Sequence, residues 1–448
     1  MPDLLRSKPG RLLAFFMLYM SEGIPLGFTA TAVATQMRRQ GVGPAEIGAF
    51  VGSLYLPWAF KWAAGPVVDS LTVSRFGRRR FWILLMQGLM ILTLLAAMPI
   101  DFAKNLALFS AIIFVHNCFA ATQDVAIDAL AVNVLPEAER GVANGFMFAG
   151  AYMGMAVGGS GVLFLTPVIG FHNSFLVVAG CIALIMLLVT VPIREPVAPP
   201  RLAAAGSAIA AVAREIGAFL RDSMQAFLGS RPALVGVLFA LLPGGAYALG
   251  LALQSNLAVE LGLNDQQVAT LNLSSSVISA GCCIAGGWLS DRFGRRGTLA
   301  WTMGATAIPT AALAWGMNHY GWVHPVAPGG IDRPVPAAAL LQLFWASVLI
   351  YNVFQGLYYG IRTALFMDVT TPRVAATQFT AYMALMNLAI SYSSLWQGRA
   401  VERWGYPVTL AIDSVVGLLC LACLPFMRPT GPSASASAGP AVPETIAP

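Results

Sequence analysis

Apolar residues fall along this chain in long blocks separated by short polar breaks. Runs of about twenty, the length that crosses roughly 30 Å of hydrocarbon, begin with Leu12 to about Ala34. They recur near 46–66, 81–100, 105–132, 142–168 and 174–193. A second series lies near 233–258, 268–290, 298–318, 337–365, 374–398 and 406–427. The pattern predicts an all-α membrane protein with twelve transmembrane helices in two six-helix, pseudo-symmetric bundles, residues 1–193 and 233–427. Between them, 194–232 opens with REPVAPPR, whose prolines break a helix. Its later part sets Ile209, Val212, Ile216, Phe219, Leu220, Phe227 and Leu228 against Arg214, Glu215, Arg221 and Asp222. That alternation predicts an amphipathic helix lying on the membrane surface and tethering the two sets. The tail, 428–448, is rich in Pro, Ser and Ala and is expected to be disordered.

Composition agrees with this reading and excludes others. Apolar residues make up 57% and charged residues 10%, against about 25% charged in an ordinary soluble protein. The net charge of +6 sits mostly on loop arginines, so it speaks for topology and not for nucleic acid. Cys118, Cys181, Cys282, Cys283, Cys420 and Cys423 all lie in apolar runs and read as small buried residues. No zinc spacing that includes histidine is present, Cys420-Leu-Ala-Cys423 resembles a redox CxxC only in spacing, and neither a cofactor nor a metal is expected. The arginines also set an orientation. With the N-terminus inside, the inner segments collect 18 Lys and Arg and the outer segments six, which places both termini in the cytoplasm.

Charges inside the spans need a reason, because a carboxylate at the bilayer centre costs roughly 2.5–3.5 kcal/mol on insertion scales. His116, Ala120, Asp124 and Asp128 recur every fourth residue and share one helix face. That face must look at other helices or a watery cavity. Lys61 and Glu22 also fall within apolar runs, Glu22 beside the helix-breaking Gly23-Ile24-Pro25. Counted at 1.5 Å per residue, Lys61 and Asp124 lie at compatible depths for an ion pair. A movement that changes their separation would load and release a proton. Asp124 is the leading carrier on this reading, with Asp128, Glu22 and His116 as further coupling candidates. The alternative is a buried structural ion-pair network.

An internal repeat supports the six-plus-six division. GPVVDSLTVSRFGRRR (65–80) follows the second run and GGWLSDRFGRRG (286–297) follows the eighth. Each holds a glycine, three residues and an aspartate, then Arg-Phe-Gly-Arg-Arg. A duplicated six-helix unit leaves such a pair at matching places. The glycines, Gly77 and Gly294, are expected in tight turns. Asp69, Arg75, Arg78, Arg79, Asp291, Arg292, Arg295 and Arg296 are expected to form a cytoplasmic gate with them.

This duplicated loop resembles the signature of the major facilitator superfamily. Narrower features are Gly23-Ile24-Pro25, Phe60-Lys61-Trp62 with Pro66 and Asp69, Gln123-Asp124 with Asp128, Leu135-Pro136 with Glu139-Arg140-Gly141, and Ala376-Thr377-Gln378-Phe379. Together they resemble the AmpG-type permeases, with acetyl-CoA transporters and siderophore permeases as similar relatives. The resemblance implies a bacterial inner-membrane symporter that takes cell-wall muropeptides into the cytoplasm with protons, as in peptidoglycan recycling. Glu22 departs from the pattern, standing where a small neutral residue is usual, and some muropeptide permeases carry additional spans.

The expected substrate surface lies mainly in the second half. Tyr351, Gln355, Tyr358 and Arg362 share a helix face, and Gln378, Tyr382, Asn387, Gln254 and Gln123 complete the candidate set. Amides and aromatic rings suit a sugar, and Arg362 suits a carboxylate held bidentately. Both features belong to a muropeptide. A ferric siderophore also fits, tyrosines and amides also serve as helix-packing groups, and direction is left open, so a proton-driven efflux antiporter is the rival. A membrane-embedded prenyl-diphosphate enzyme would need a second acidic cluster, which the sequence lacks. The expected partners are therefore a small molecule, protons and the lipid bilayer, with no nucleic acid and a monomeric chain.

The topology is open to direct test. Single cysteines replacing Ser74 or Ser207 should resist an impermeant thiol reagent in intact cells, and one replacing Gly329 should react. Labelling at Ser74 from outside would reverse the orientation.

Overall fold

The computed structural model describes residues 4–70, 77–195, 208–326, 335–369 and 375–427. Among them every regular element is a helix. The first half contributes α1 (Lys8–Gly27), α2 (Ala34–Arg39), α3 (Pro44–Ala59), α4 (Ala64–Ser70), α5 (Arg78–Ala97), α6 (Leu106–Val134), α7 (Glu137–Ala156), α8 (Val162–Ile169) and α9 (Phe171–Ile185). Then come α10 (Ala208–Leu228), α11 (Arg231–Leu241), α12 (Ala252–Glu260), α13 (Asp265–Phe293), α14 (Arg295–Ala305), α15 (Ala307–His319), α16 (Ala338–Asp368) and α17 (Ala375–Leu419).

Among the described residues eight helical stretches are long and apolar enough to cross a membrane, including Lys8–Arg39, Leu106–Val134 and Asp265–Ser290. The other expected crossings fall where helices are interrupted. The run at 46–66 breaks at Phe60 between α3 and α4, and the run at 233–258 breaks between α11 and α12. The run at 298–318 is interrupted at Thr306, and α17 joins the last two runs across a kink at Gly405. Gly405 has φ 81°, and a Cβ there would lie 2.4 Å from the Val323 carbonyl oxygen. Only glycine makes that corner. The helix α10 forms within the connecting segment, packs against α4, α11 and α17, and leaves Leu220, Met224 and Leu228 exposed. The tail at 428–448 lies outside the described residues.

Without a hydrophobic driving force between helices in lipid, close packing depends on small residues. The contact between α1 and α7 shows this directly. Gly150 and Gly154, and Gly158 in the turn just after α7, face the backbone of Phe16, Met20 and Ile24, while Gly23 and Gly27 face Ala151 and Met155. Both helices then continue through π-helical turns, Phe28–Val33 and Val157–Gly161, which pack on each other. Such turns add a residue to the helical repeat and are often found at functional sites. The repeated basic loop has matched geometry in its two copies. Gly77 has φ 85° and Gly294 φ 87°, and each stands immediately before a helix, α5 and α14.

Gly154→Ala should push α1 and α7 apart, because its Cβ would meet the Met20 carbonyl oxygen at 2.5 Å. A loss of about 1–3 kcal/mol is expected as a lowered melting temperature of the purified protein. Gly145→Ala, with nothing within 4 Å of its Cβ, should melt like the parent.

Candidate functional site

The interruption of the second span places the central cation. Pro57 lies inside α3, and at Phe60 the backbone leaves helical geometry and re-enters as a short 3-10 turn over Lys61–Ala63. This turn aims Lys61 at α6. Its Nζ lies 2.5 Å from Asp124 Oδ2 and 3.8 Å from Asp128 Oδ2. The Tyr19 hydroxyl of α1 donates to Asp128. Glu22, one turn further along α1, is 4% exposed and receives one long hydrogen bond, from Gln123 Nε2 at 3.4 Å. Gln123 Nε2 also donates to Ser21 Oγ at 3.0 Å, and Gln87 Nε2 reaches the same oxygen at 3.3 Å. Two carboxyl groups thus stand within 4 Å of one ammonium, and a third, Glu22, joins the cluster through Gln123, the neighbour of Asp124 on α6. His116 stands two turns back on α6, with Nδ1 2.9 Å from Thr93 Oγ1 and 3.1 Å from the Met90 carbonyl oxygen, so it faces α5.

The second charged site forms where α11 and α12 are separated by a non-α-helical segment containing Pro243, Gly244 and Gly245. Unwound backbone within a membrane must be satisfied by other groups, and here Asp413 and Thr306 supply them. Asp413 accepts the Ala248 N–H at 2.9 Å and the Gln397 amide at 2.7 Å. Thr306 Oγ1 accepts the Ala246 N–H at 3.0 Å. So fixed, the segment presents the Tyr247 hydroxyl 3.1 Å from Arg362 Nη1. Gly244 is necessary for this approach, since a Cβ there would lie 2.4 Å from Nη1. The guanidinium also lies over Tyr358 at 5.4 Å and Tyr359 at 5.6 Å. It is 4% exposed, its Nε has no hydrogen-bond partner, and no carboxylate among the described residues is within ion-pair distance.

The remaining substrate candidates are dispersed. Tyr351 and Tyr358 are buried beside Arg362, with Tyr351 against Gly250 of the unwound segment. Gln355 turns to α13, where Ser279 Oγ donates to it at 3.2 Å. Gln254 donates to Asn272 at 3.3 Å. Gln378 is fully buried and Asn387 half-buried on α17. Tyr382 donates to the Ala233 carbonyl at 3.0 Å and packs with Phe366 and Phe227, inside a core cluster of α11, α14, α16 and α17. Gln123 belongs with the acids.

At the end opposite the basic loops, charged groups far apart in sequence interlock. Arg38 Nη2 lies 2.5 Å from Glu260 Oε1 and 2.8 Å from the Val326 carbonyl oxygen. Glu260 also accepts from the Val326 N–H at 3.1 Å and from the Tyr406 hydroxyl. Beside it Arg39 Nε is 2.7 Å from Asp265, which Gln36 reaches at 3.2 Å. Arg38 and Glu260 are 3% and 0% exposed.

The sequence matches the Major Facilitator Superfamily over residues 11–394 and again over 237–448. The chain belongs to that superfamily. Within it, the anhydromuropeptide permease of Escherichia coli K12 is 25% identical over 450 residues, covering 96% of this chain and 84% of that one. The AmpG 4 transporter of Rickettsia conorii is 23% identical over 434 residues, covering 94% and 97%. Among solved structures, a D-xylose-proton symporter superposes with TM-score 0.69 at 13% identity over 94% of this chain and 98% of its own. The nucleoside transporter NupG gives 0.66 at 13%, over 93% and 98%. The fold is that of the superfamily, and the chain is a multi-pass membrane permease and not an enzyme.

In this superfamily member the repeated loop is partly anchored by a residue the sequence did not single out. Glu195 accepts the N–H groups of Arg79 and Arg80 at 2.7 and 3.3 Å, an anion at a helix N-terminus. Arg79 Nη1 donates to the Val68 carbonyl at 3.1 Å. Arg292 lies over Trp288 at 5.7 Å and Phe293 at 5.9 Å, while Arg295 is half-buried and Arg296 exposed. The side chains of Asp69, Arg78 and Asp291 and the whole of Arg75 lie outside the described residues. Sequence reasoning also missed Tyr19, Tyr152, Tyr359, Asp413 and the Arg38–Glu260 pair. For that pair the available signal was two charges at the edges of apolar runs.

Glu260→Ala would leave Arg38 buried without its anion, and a cost of about 3–5 kcal/mol is expected, read as thermal stability. Arg38→Met combined with Glu260→Met should recover much of that loss. Equal stability of the single and double variants would show that the pair is not coupled.

Proposed function

We propose that this permease is a proton-coupled symporter importing a cell-wall muropeptide, an anhydro-muramyl sugar-peptide, across a bacterial inner membrane by alternating access. The carrying observation is the imbalance in one buried cluster: Lys61 lies within 4 Å of Asp124 and Asp128, and Glu22, tied to the cluster through Gln123, has no cation within ion-pair distance among the described residues. Buried charge without a partner is strongly disfavoured, and one lysine neutralises one carboxylate. Lys61 holds Asp124, and Tyr19 donates to Asp128, which is 45% exposed. Glu22 has only an amide at 3.4 Å. The exchangeable proton is therefore assigned to Glu22, with Lys61–Asp124 as the fixed pair against which it is exchanged. This moves the carrier from Asp124, the first expectation from sequence, to its neighbour across α1.

Substrate class is supported by the relatives and by chemistry. The similar permeases include one named for anhydromuropeptide, and Arg362 offers a buried cation among tyrosines with no carboxylate within ion-pair distance among the described residues. The halves, 1–193 and 233–427, rock about this centre, with both termini cytoplasmic. In that arrangement the Arg38–Glu260 interlock closes the outer side and the basic loops form the inner gate.

Right-side-out vesicles should accumulate labelled N-acetylglucosaminyl-anhydro-N-acetylmuramic acid when an inward proton gradient is imposed. Glu22→Gln should lower the accumulation ratio to about one while keeping substrate exchange at equal concentrations, because the amide keeps shape but cannot titrate. Gradient-driven accumulation by Glu22→Gln at the parental level would return the role to Asp124. Failure of the parent to take up the sugar would remove the muropeptide assignment.

A further inference from the structure

One aromatic contact joins the two halves of the sequence beside the uncompensated arginine. Tyr152 of α7 and Tyr359 of α16 meet edge to face, with ring centroids 6.1 Å apart. Unlike Tyr351 and Tyr358, which are 2% and 1% exposed, both rings are only half-buried. Tyr359 is at once a partner of Tyr152 and one of the two rings under the Arg362 guanidinium, at 5.6 Å. A half-buried aromatic pair and a buried cation therefore adjoin through a single residue.

The cation is incomplete. A guanidinium has five N–H donors in a fixed fork, and Arg362 Nε has no partner while Nη1 meets only a neutral hydroxyl. Arg38, Lys61 and Arg11 each have a carboxylate at hand, in Glu260, Asp124 and Glu139. Tyrosine rings soften the cost of burying Arg362 but bring no negative charge. The missing anion is the part a ligand would bring.

We propose that Tyr152, Tyr359 and Arg362 form a subsite for an acidic sugar: the two rings part to bracket a pyranose, and the guanidinium takes a carboxylate carried on it. The spacing fits, since the Tyr359 ring lies within 6 Å of the guanidinium, the reach of a carboxylate on a short ether arm. Apolar C–H faces of a sugar stack on aromatic rings, tyrosine hydroxyls bond sugar hydroxyls, and a carboxylate takes the arginine fork bidentately. One ring comes from each half of the sequence, so a bound sugar replaces a direct contact between the halves with one through itself. This inference rests on the muropeptide reading for its choice of probe and deepens it by naming the residues that set specificity.

The test uses the full-length protein in lipid nanodiscs and calorimetric binding of two probes, N-acetylglucosaminyl-anhydro-N-acetylmuramic acid and the same sugar with its lactyl carboxyl converted to the amide. The parent should bind the acid at least about tenfold more tightly than the amide, the worth of a charge-assisted bond. Arg362→Gln should bind both alike. Tyr152→Ala and Tyr359→Ala should weaken both probes about three- to tenfold and keep the preference for the acid. Tyr152→Phe and Tyr359→Phe keep the ring and should stay within about twofold of the parent, which separates stacking from a folding defect. Acid preference surviving in Arg362→Gln, or alanine variants binding like the parent, overturns the subsite and leaves muropeptide transport standing. If the parent ignores both sugars yet binds a ferric catecholate siderophore, with at least tenfold loss in Arg362→Gln and Tyr359→Ala, the acidic-sugar subsite and the muropeptide reading both fall and the residues belong to a siderophore site. Binding of none of these ligands by the parent overturns both.

Discussion

Lys61 faces Asp124 and Asp128, with Glu22 behind them on α1, in a place that is largely buried, and much of the first half is arranged around that imbalance. The break at Phe60 is needed to aim the ammonium at α6. The close approach of α1 to α7 through Gly150 and Gly154 holds Glu22 and Tyr19 in register with Asp124 and Asp128. Gln123 and Gln87 meet on Ser21, so the amides beside the acids are themselves fixed. A buried polar network of this kind is stable only when its members have partners, and Glu22 is the member with the weakest one.

The same logic governs the second half with the opposite sign. There the surplus is a cation, Arg362, and the support is an unwound segment held by Asp413 and Thr306. Discontinuous helices near a transporter's centre commonly mark its binding site, because irregular backbone is tolerated there only where protein or a cavity satisfies it. The acid cluster and the arginine are linked by packing along α7. Phe148 meets Tyr19, which donates to Asp128, and Tyr152, one turn on, meets Tyr359. A shift of α7 would be felt at both sites.

The helices were legible because a bilayer demands long apolar runs, and the tight turns at Gly77 and Gly294 because a basic loop repeats around them. The proximity of Lys61 to Asp124 was legible too, since the second and fourth runs cross in the same direction and depth counted from the same side fixes which residues stand level. What periodicity does not carry is the identity of the facing neighbour. Tyr382 reads as part of the same surface as Tyr358, yet its hydroxyl reaches Ala233 while the Tyr358 ring lies under the Arg362 guanidinium. Arg38 and Glu260 lie 222 positions apart, and Tyr152 and Tyr359 belong to different halves. Such pairs depend on how whole helices dock, which single-chain patterning does not express. Tyr19 was hidden for a related reason: a tyrosine within an apolar run looks like packing until a carboxylate stands opposite.

The central claim is that the acid cluster holds an exchangeable proton on the carboxyl that lacks a cation, Glu22. Infrared difference spectroscopy of the protein in lipid, recorded as pH is cycled around neutrality, reads protonated carboxyl groups directly through their carbonyl stretch. The account predicts a protonated-carboxyl band that exchanges with deuterium oxide, disappears in Glu22→Gln and persists in Asp124→Asn. A band that survives in Glu22→Gln and vanishes in Asp124→Asn would contradict it, as would the absence of any such band in the parent.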